Sequence, residues 1–265
     1  MRKLLFVLFA LCLGTGAAQA AVVGKTIEYS DNGVTLKGYL AWDNAIQGKR
    51  PGVLVVHEWW GLNDYARKRA RMLAGMGYTA LAVDMYGDGK TAQHPDDAGK
   101  FSAMVSKNLP LEKSRFDAAR KLLESQKTVE PGAIAAIGYC FGGGVVLNMA
   151  LMGEDLKAVA SFHGALPTGI EVKPGQVKAR VAVFTGADDP FSPPQKVEAF
   201  EAEMKAAGAD YSLTSYPGAK HSFTSPEADA LGKKFNLPLA YNAAADKDSW
   251  HKLGQLLTSV FGQGK

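Results

Sequence analysis

A cysteine stands at the centre of Gly138-Tyr139-Cys140-Phe141-Gly142, a G-x-nucleophile-x-G pattern. The apolar run Ala133 to Ile137 precedes it and Gly143-Gly144-Val145-Val146-Leu147 follows, giving the strand, sharp turn and helix that the pattern requires. Flanking glycines have a mechanical reason: without Cβ atoms, strand and helix can approach closely around the turn. The plainer reading is a buried cysteine beside a glycine-rich turn. A thiol with an ordinary pKa of about 8.5 is only a few per cent thiolate at neutral pH, so a nucleophilic Cys140 needs a base. His221 is the candidate, in Gly218-Ala219-Lys220-His221-Ser222-Phe223. A carboxylate that fixes the tautomer of the base has two candidates, Asp188 and Asp189, in Gly186-Ala187-Asp188-Asp189-Pro190.

Hydrophobic periodicity supplies the elements that must carry these residues. Lys25 to Asp31 and Val34 to Trp42 alternate around Asn32-Gly33, the signal of an N-terminal β-hairpin. The pattern then changes: Gly52 to Val56 is a continuous apolar run, as in a strand buried on both faces of a parallel sheet, Tyr78 to Val83 is a second buried strand, and further strands are expected at Leu156 to Phe162, Arg180 to Phe184 and Tyr211 to Tyr216. Helical spacing falls between them, at Asp64 to Met76, Leu111 to Ser125 and Lys196 to Ala207, with a closing helix at Ser249 to Phe261. Alternating strands and helices after a hairpin predict a mostly parallel sheet with helices on both faces. In such sheets ligands bind beyond the carboxyl ends of the strands. Four strand ends carry unusual chemistry: His57-Glu58-Trp59-Trp60, the Cys140 turn, the Asp188-Asp189 turn and the His221 loop. Nucleophile, acid and histidine thus follow one another in the chain order of α/β-hydrolases.

The first 20 residues have the basic, apolar and small-residue zones of a secretory leader, with Ala18-Gln19-Ala20 at its end, so an exported protein, periplasmic or secreted, is expected. Its apolar zone is too short to span a bilayer, and Leu11 before Cys12 argues against lipid modification there. Removal of Arg2 and Lys3 takes two from 30 basic residues set against 26 acidic ones, leaving a charge near +2. Neither a nucleic-acid footprint nor a membrane-surface patch is implied, and no membrane anchor follows the leader. Of the two cysteines, Cys12 goes with the leader, so Cys140 remains unpaired in an oxidising compartment. The remaining chain, 21–265, has no repeat or linker and reads as a single domain. No cluster of Cys, His and carboxylates has ligand spacing, so no metal is expected. His57 and His163 end apparent strands, where a histidine is more often a hydrogen-bonded rim residue, and His94 and His251 fall in no motif.

The chain resembles the dienelactone hydrolase family of α/β-hydrolases over nearly all of its length after the leader. The resemblance rests on His57-Glu58-Trp59-Trp60-Gly61-Leu62-Asn63, Ala82-Val83-Asp84-Met85-Tyr86-Gly87, Gly138 to Gly143, the Gly186-x-x-Asp189-Pro190 turn and His221-Ser222-Phe223. It implies a Cys140–His221–Asp189 triad, favouring Asp189 over Asp188. It also implies an oxyanion hole from the backbone N–H groups of Phe141 and Trp59, and a Glu58 that holds the resting thiol. The bland alternative for Glu58 is a pairing with a nearby arginine.

The chain departs from the namesake enzymes in one respect. They hold the carboxylate of a dienelactone with two arginines, one in the loop after the Asp-x-Tyr segment and one just after the histidine. Here those stretches read Tyr86-Gly87-Asp88-Gly89-Lys90 and His221-Ser222-Phe223-Thr224-Ser225. Lys90 offers a point charge without the bidentate fork. Trp60, Tyr86 and Lys90 are the expected pocket residues, and Pro226 to Asp248 is long enough to cover the site mouth. The resulting expectation is an exported hydrolase of an ester, lactone or thioester, with a small-molecule substrate and no cofactor. The competing class is a ligand-binding or thiol redox-sensing protein, against which the lack of a resolving cysteine counts.

Overall fold

The computed structural model describes residues 22–167 and 171–262. The leader expected over residues 1–20 lies outside the described residues. Strands β1 (Val22–Asp31) and β2 (Val34–Asp43) pair antiparallel without a slip, from Val22 opposite Asp43 to Asp31 opposite Val34. The two residues between them, Asn32 and Gly33, have φ of 48° and 81°. A two-residue turn with both centres left-handed matches the twist of the flanking strands, which is why Asn-Gly marks it in the sequence.

The remaining elements follow as β3 (Arg50–Val56), α1 (Asp64–Gly75), β4 (Thr79–Val83), α2 (Pro95–Ser106), α3 (Leu109–Glu124), β5 (Val129–Tyr139) and α4 (Phe141–Leu151). Then come β6 (Ala158–Phe162), β7 (Arg180–Gly186), α5 (Pro194–Ala206), β8 (Tyr211–Tyr216), α6 (Ala228–Phe235) and α7 (Ala243–Phe261). The strands form one eight-stranded sheet in the order β1-β2-β4-β3-β5-β6-β7-β8. β2 meets β4 antiparallel, and every pairing from β4 to β8 is parallel.

Alternate residues of each central strand feed two cores. Leu54 and Val56 of β3 pack with Phe116 of α3, Val145 of α4 and Phe200 of α5. Val53 and Val55 point the other way, toward Leu73 of α1 and Leu253 of α7. Covering both faces removes any polar face from the strand, which accounts for the unbroken apolar runs. Each fully buried aliphatic or aromatic side chain contributes roughly 1.5–3 kcal/mol to this arrangement.

Two helices fall outside the expected set. α2 buries only Ala98 and Val105, so its apolar stripe is too sparse to register as helical spacing. α6 has eight residues, with Ala228 and Gly232 buried and Leu231 and Phe235 half-buried against the Trp60 cluster, too short a stretch to show a period on its own. α7 begins six residues before the expected Ser249, where Asn242 caps the helix by accepting from the Ala245 N–H at 3.1 Å. No helix among the described residues is long and apolar enough to cross a membrane.

Candidate active site

Cys140 stands between β5 and α4 with φ 53° and ψ −114°, a strained conformation for a residue with a side chain. The glycines around it are there for space. A Cβ on Gly138 would lie 2.0 Å from the Gly142 carbonyl oxygen, and one on Gly142 would lie 2.3 Å from that of Val56. The turn is tied down from two sides. The Cys140 N–H donates to the Phe162 carbonyl at 3.0 Å and also meets His163 Nδ1 at 3.2 Å, and the Gly142 N–H donates to the His57 carbonyl at 3.1 Å. As helix-preceding residue, Cys140 makes no side-chain cap, so its sulfur is free to turn elsewhere.

It turns to His221. Nε2 of His221 lies 3.0 Å from Cys140 Sγ, and Nδ1 lies 2.8 Å from Asp189 Oδ2. The carboxylate is itself held by its turn, since the Phe191 N–H donates to Oδ1 at 2.8 Å. Asp189 is buried whereas Asp188 is exposed, so the carboxylate beside the imidazole is Asp189. Burial disfavours the imidazolium, but the Cys140 sulfur and the Asp189 carboxylate on either side outweigh it and push the His221 pKa up to about 10. The imidazolium form donates from Nε2–H to sulfur and from Nδ1–H to the carboxylate, an arrangement able to store and return one proton.

Two further histidines are satisfied structural groups, as their rim positions suggested. His57 places Nδ1 2.6 Å from the Glu58 carbonyl, and its Nε2 accepts from the Met85 N–H at 3.3 Å. His163 places Nε2 2.7 Å from Thr224 Oγ1, and burial holds its pKa well below the ordinary histidine value. A neutral His163 accepts at Nδ1 from Cys140 N–H and fixes the back of the elbow. The Cys140 N–H is therefore occupied. The Phe141 and Trp59 N–H groups, by contrast, have no acceptor among the described residues, and Phe141 is the first residue of α4, where orphan donors are normal.

Glu58 differs from expectation. It is buried, but its Oε1 accepts from the Ser222 hydroxyl at 3.0 Å, while the sulfur faces His221. Burial raises the Glu58 pKa, opposed by the Ser222 hydrogen bond and by the charges of His221 and Arg69. Nor does it pair with arginine: Arg69 is engaged by Asp246, the Thr224 carbonyl and the Tyr65 hydroxyl.

The sulfur opens into a cavity of about 450 Å3. Trp59, Phe141 and His221 surround Cys140 at one end, and Val145, Leu166, Leu237 and Leu239 supply apolar wall. Phe191, 49% exposed, stands edge-on to His221 with ring centres 4.9 Å apart and borders the same opening. No group of three or more His, Cys, Asp or Glu among the described residues could hold a metal ion.

The model of the dienelactone hydrolase family matches residues 36–261. The chain belongs to that family. It is an α/β-hydrolase acting on ester or lactone bonds. Protein usf of Aquifex pyrophilus is 27% identical over 237 residues, which are 86% of this chain and 95% of that one. A protein of Aquifex aeolicus (strain VF5), provisionally named a carboxymethylenebutenolidase, is 28% identical over 206 residues, 76% of this chain and 87% of its own. Among solved structures, a dienelactone hydrolase-like promiscuous phosphotriesterase from metagenomic libraries is 34% identical with a TM-score of 0.86, covering 91% of this chain and all of that one.

In this dienelactone hydrolase family member the expected pocket residues need correction, because none of Trp60, Tyr86 and Lys90 lines the cavity. Tyr86 is buried behind it, and its hydroxyl donates to the Trp59 carbonyl at 2.9 Å, fixing the peptide next to the thiol. Trp60 packs between Trp59 and Phe235, with ring centres at 5.0 and 6.1 Å. Lys90 is on the surface, paired with Asp88 at 3.2 Å. The cation that does border the cavity is Lys196, in the first turn of α5. The excursion between β8 and α7 does cover the site, through Leu237 and Leu239. Sequence reasoning also passed over Glu112, Asn148 and Phe191. Their wall positions depend on the packing of two separate helices and a turn, which no local spacing records.

Proposed function

We propose that this hydrolase cleaves an ester, lactone or thioester through a covalent acyl-enzyme on Cys140, with His221 as the proton carrier, Asp189 as its orienting carboxylate and Phe141 and Trp59 as oxyanion donors. The observation that carries this reading is the unbroken chain from Cys140 Sγ through His221 to Asp189, at 3.0 and 2.8 Å, opening into the apolar cavity.

The thiolate attacks the substrate carbonyl carbon, a C–S bond forms, and the carbonyl π pair moves onto oxygen. The two unoccupied N–H groups donate to that oxyanion; removing one such donor typically costs about 100- to 1,000-fold in rate. The oxyanion re-forms the carbonyl and the bond to the leaving group breaks, C–O in an ester or lactone and C–S in a thioester, the leaving oxygen or sulfur taking the proton from His221 Nε2. Water then gives a proton to the neutral His221 and attacks the thioester, and collapse of the second oxyanion restores the thiolate and releases the acid. Glu58 stands one residue from the Trp59 donor and is bonded to the residue after His221, so its part is to position both. The leader-like first 20 residues support export of the enzyme to act outside the cytoplasm.

The test is Cys140→Ala, a replacement that the apolar setting tolerates. Purified C140A is expected to fold and to lose p-nitrophenyl acetate hydrolysis; undiminished turnover would reject the cysteine nucleophile.

A further inference from the structure

The cavity has a second, polar end. Phe141, Gly144, Val145 and Asn148 all border it and fall at i, i+3, i+4 and i+7 of α4, so one face of this helix runs beneath the cavity away from the thiol. At 1.5 Å per residue, Asn148 lies about 10 Å along the axis from the helix start. There its Nδ2 donates to Glu112 Oε1 at 2.8 Å. Glu112, in the first turn of α3, borders the cavity although it is only 1% exposed.

This carboxyl is not accounted for by the fold or by the acyl-transfer chemistry. Its Oε2 has no hydrogen-bond partner among the described residues. Burial pushes its pKa up to about 7, opposed only by the Asn148 hydrogen bond. A buried polar group without a full set of partners costs free energy, whereas a leucine or methionine at this position would extend the apolar wall. What the pair leaves open is acceptor capacity. One of the two Asn148 N–H donors is spent on Glu112, and the nearby Ser102 hydroxyl donates to the Ala98 carbonyl at 2.8 Å.

We propose that Glu112 and Asn148 form a specificity end of the substrate cavity that takes a hydrogen-bond donor, a hydroxyl or primary amine, carried about 10 Å from the scissile carbonyl. The Val145, Leu166 and Leu237 walls between the two ends suit an apolar chain. This inference rests on the acyl-transfer reading for which bond is cut, but ligand binding tests it without turnover.

The experiment is calorimetric titration of three non-hydrolysable methyl ketones of equal chain length, ending in methyl, hydroxyl or primary amine. They are titrated into the wild-type protein, Glu112→Gln and Glu112→Leu. Wild type is expected to bind the hydroxyl ketone about three- to tenfold more tightly than the methyl ketone, the worth of one net hydrogen bond. Wild type should also bind the amine ketone more tightly than the methyl ketone. Glu112→Gln, whose Oε1 takes the Asn148 N–H and whose Nε2 only donates, should lose the amine preference and keep a hydroxyl preference through the ligand oxygen accepting from Nε2. Glu112→Leu should lose both and bind the methyl ketone at least as well as wild type. Equal or weaker wild-type binding of the hydroxyl ketone, or a preference that survives Glu112→Leu, would overturn the proposal. Ester turnover is read separately. A protein with the ketone preference but no hydrolysis would defeat the acyl-transfer reading and leave the specificity end standing.

Discussion

Ser222 and Glu58 are joined by a 3.0 Å hydrogen bond, with the Ser222 hydroxyl donating to Glu58 Oε1, one residue beyond the histidine that faces the thiol. The bond ties the His57–Trp59 loop to the histidine loop across the site. Glu58 is raised by burial and lowered by Ser222, so the carboxyl destabilises the fold once ionised. Its contribution is present below the unfolded value of about 4.3 and is lost as pH rises through the raised folded value. Ser222→Ala removes the lowering hydrogen bond. It should cost about 1–3 kcal/mol, more at neutral pH than at pH 4. Urea unfolding at several pH values checks this, and parallel curves for the two proteins would contradict it.

The His221 titration depends on the sulfur. Burial works against the imidazolium, and Cys140 leads the groups that raise it to about 10. In Cys140→Ala the His221 pKa should fall, with Asp189 alone left to support the charge. In wild type, the stability contributed by the imidazolium is present below about 6.5 and lost as pH rises toward 10. The variant should lose it at lower pH. Imidazole NMR titration of both proteins measures the shift, and an unchanged value near 10 would show that sulfur does not hold the proton on His221.

The expected absence of arginines carries a specificity consequence. Asp88 holds Lys90 on the surface, and Lys196 is the cation at the cavity. A bidentate arginine contact is worth about 1.5–3 kcal/mol, so its loss lowers carboxylate discrimination by roughly ten- to a hundredfold. Neutral esters should be turned over at least as well as carboxylated analogues of similar size. Comparison of kcat/KM at low and high salt decides it. A strong, salt-sensitive preference for the anion that vanishes in Lys196→Met would contradict the expectation and assign the anion site to Lys196.

The proposed leader over residues 1–20 carries a separate expectation. If the proposed export holds, the protein recovered outside the cytoplasm begins at Ala21 and contains one titratable thiol when unfolded. Intact mass of the protein from the periplasm or medium measures both, and a retained Met1 in fractionated cells would oppose cleavage.

Legibility in the sequence followed physical locality. Asn32-Gly33, the apolar run of β3 and the glycines at 138 and 142 each state a local backbone demand, and the hairpin, sheet and elbow followed from them. The Cys140, His221 and Asp189 side chains were readable because each ends or follows a strand of a parallel sheet, whose carboxyl edge gathers them. The pocket was not. Trp60 is two residues from Glu58, and Tyr86 and Lys90 follow the carboxyl end of β4, yet side-chain direction sends all three to the interior or the surface. The wall comes instead from α3, α4, α5 and the excursion containing α6, elements brought together only by tertiary packing. α2 and α6 left little local signal, since α2 buries only Ala98 and Val105 and α6, at eight residues, is shorter than the span over which helical spacing shows.

The central claim is that Cys140 carries the acyl group. Rapid-quench intact-mass measurement after mixing with an activated ester tests it most directly. A cysteine acyl carrier gives a transient mass increase of one acyl group, mapped by peptide digestion to Cys140 and absent in Cys140→Ala. Turnover without any adduct under conditions that trap thioesters, or an adduct on another residue that persists in Cys140→Ala, would contradict it.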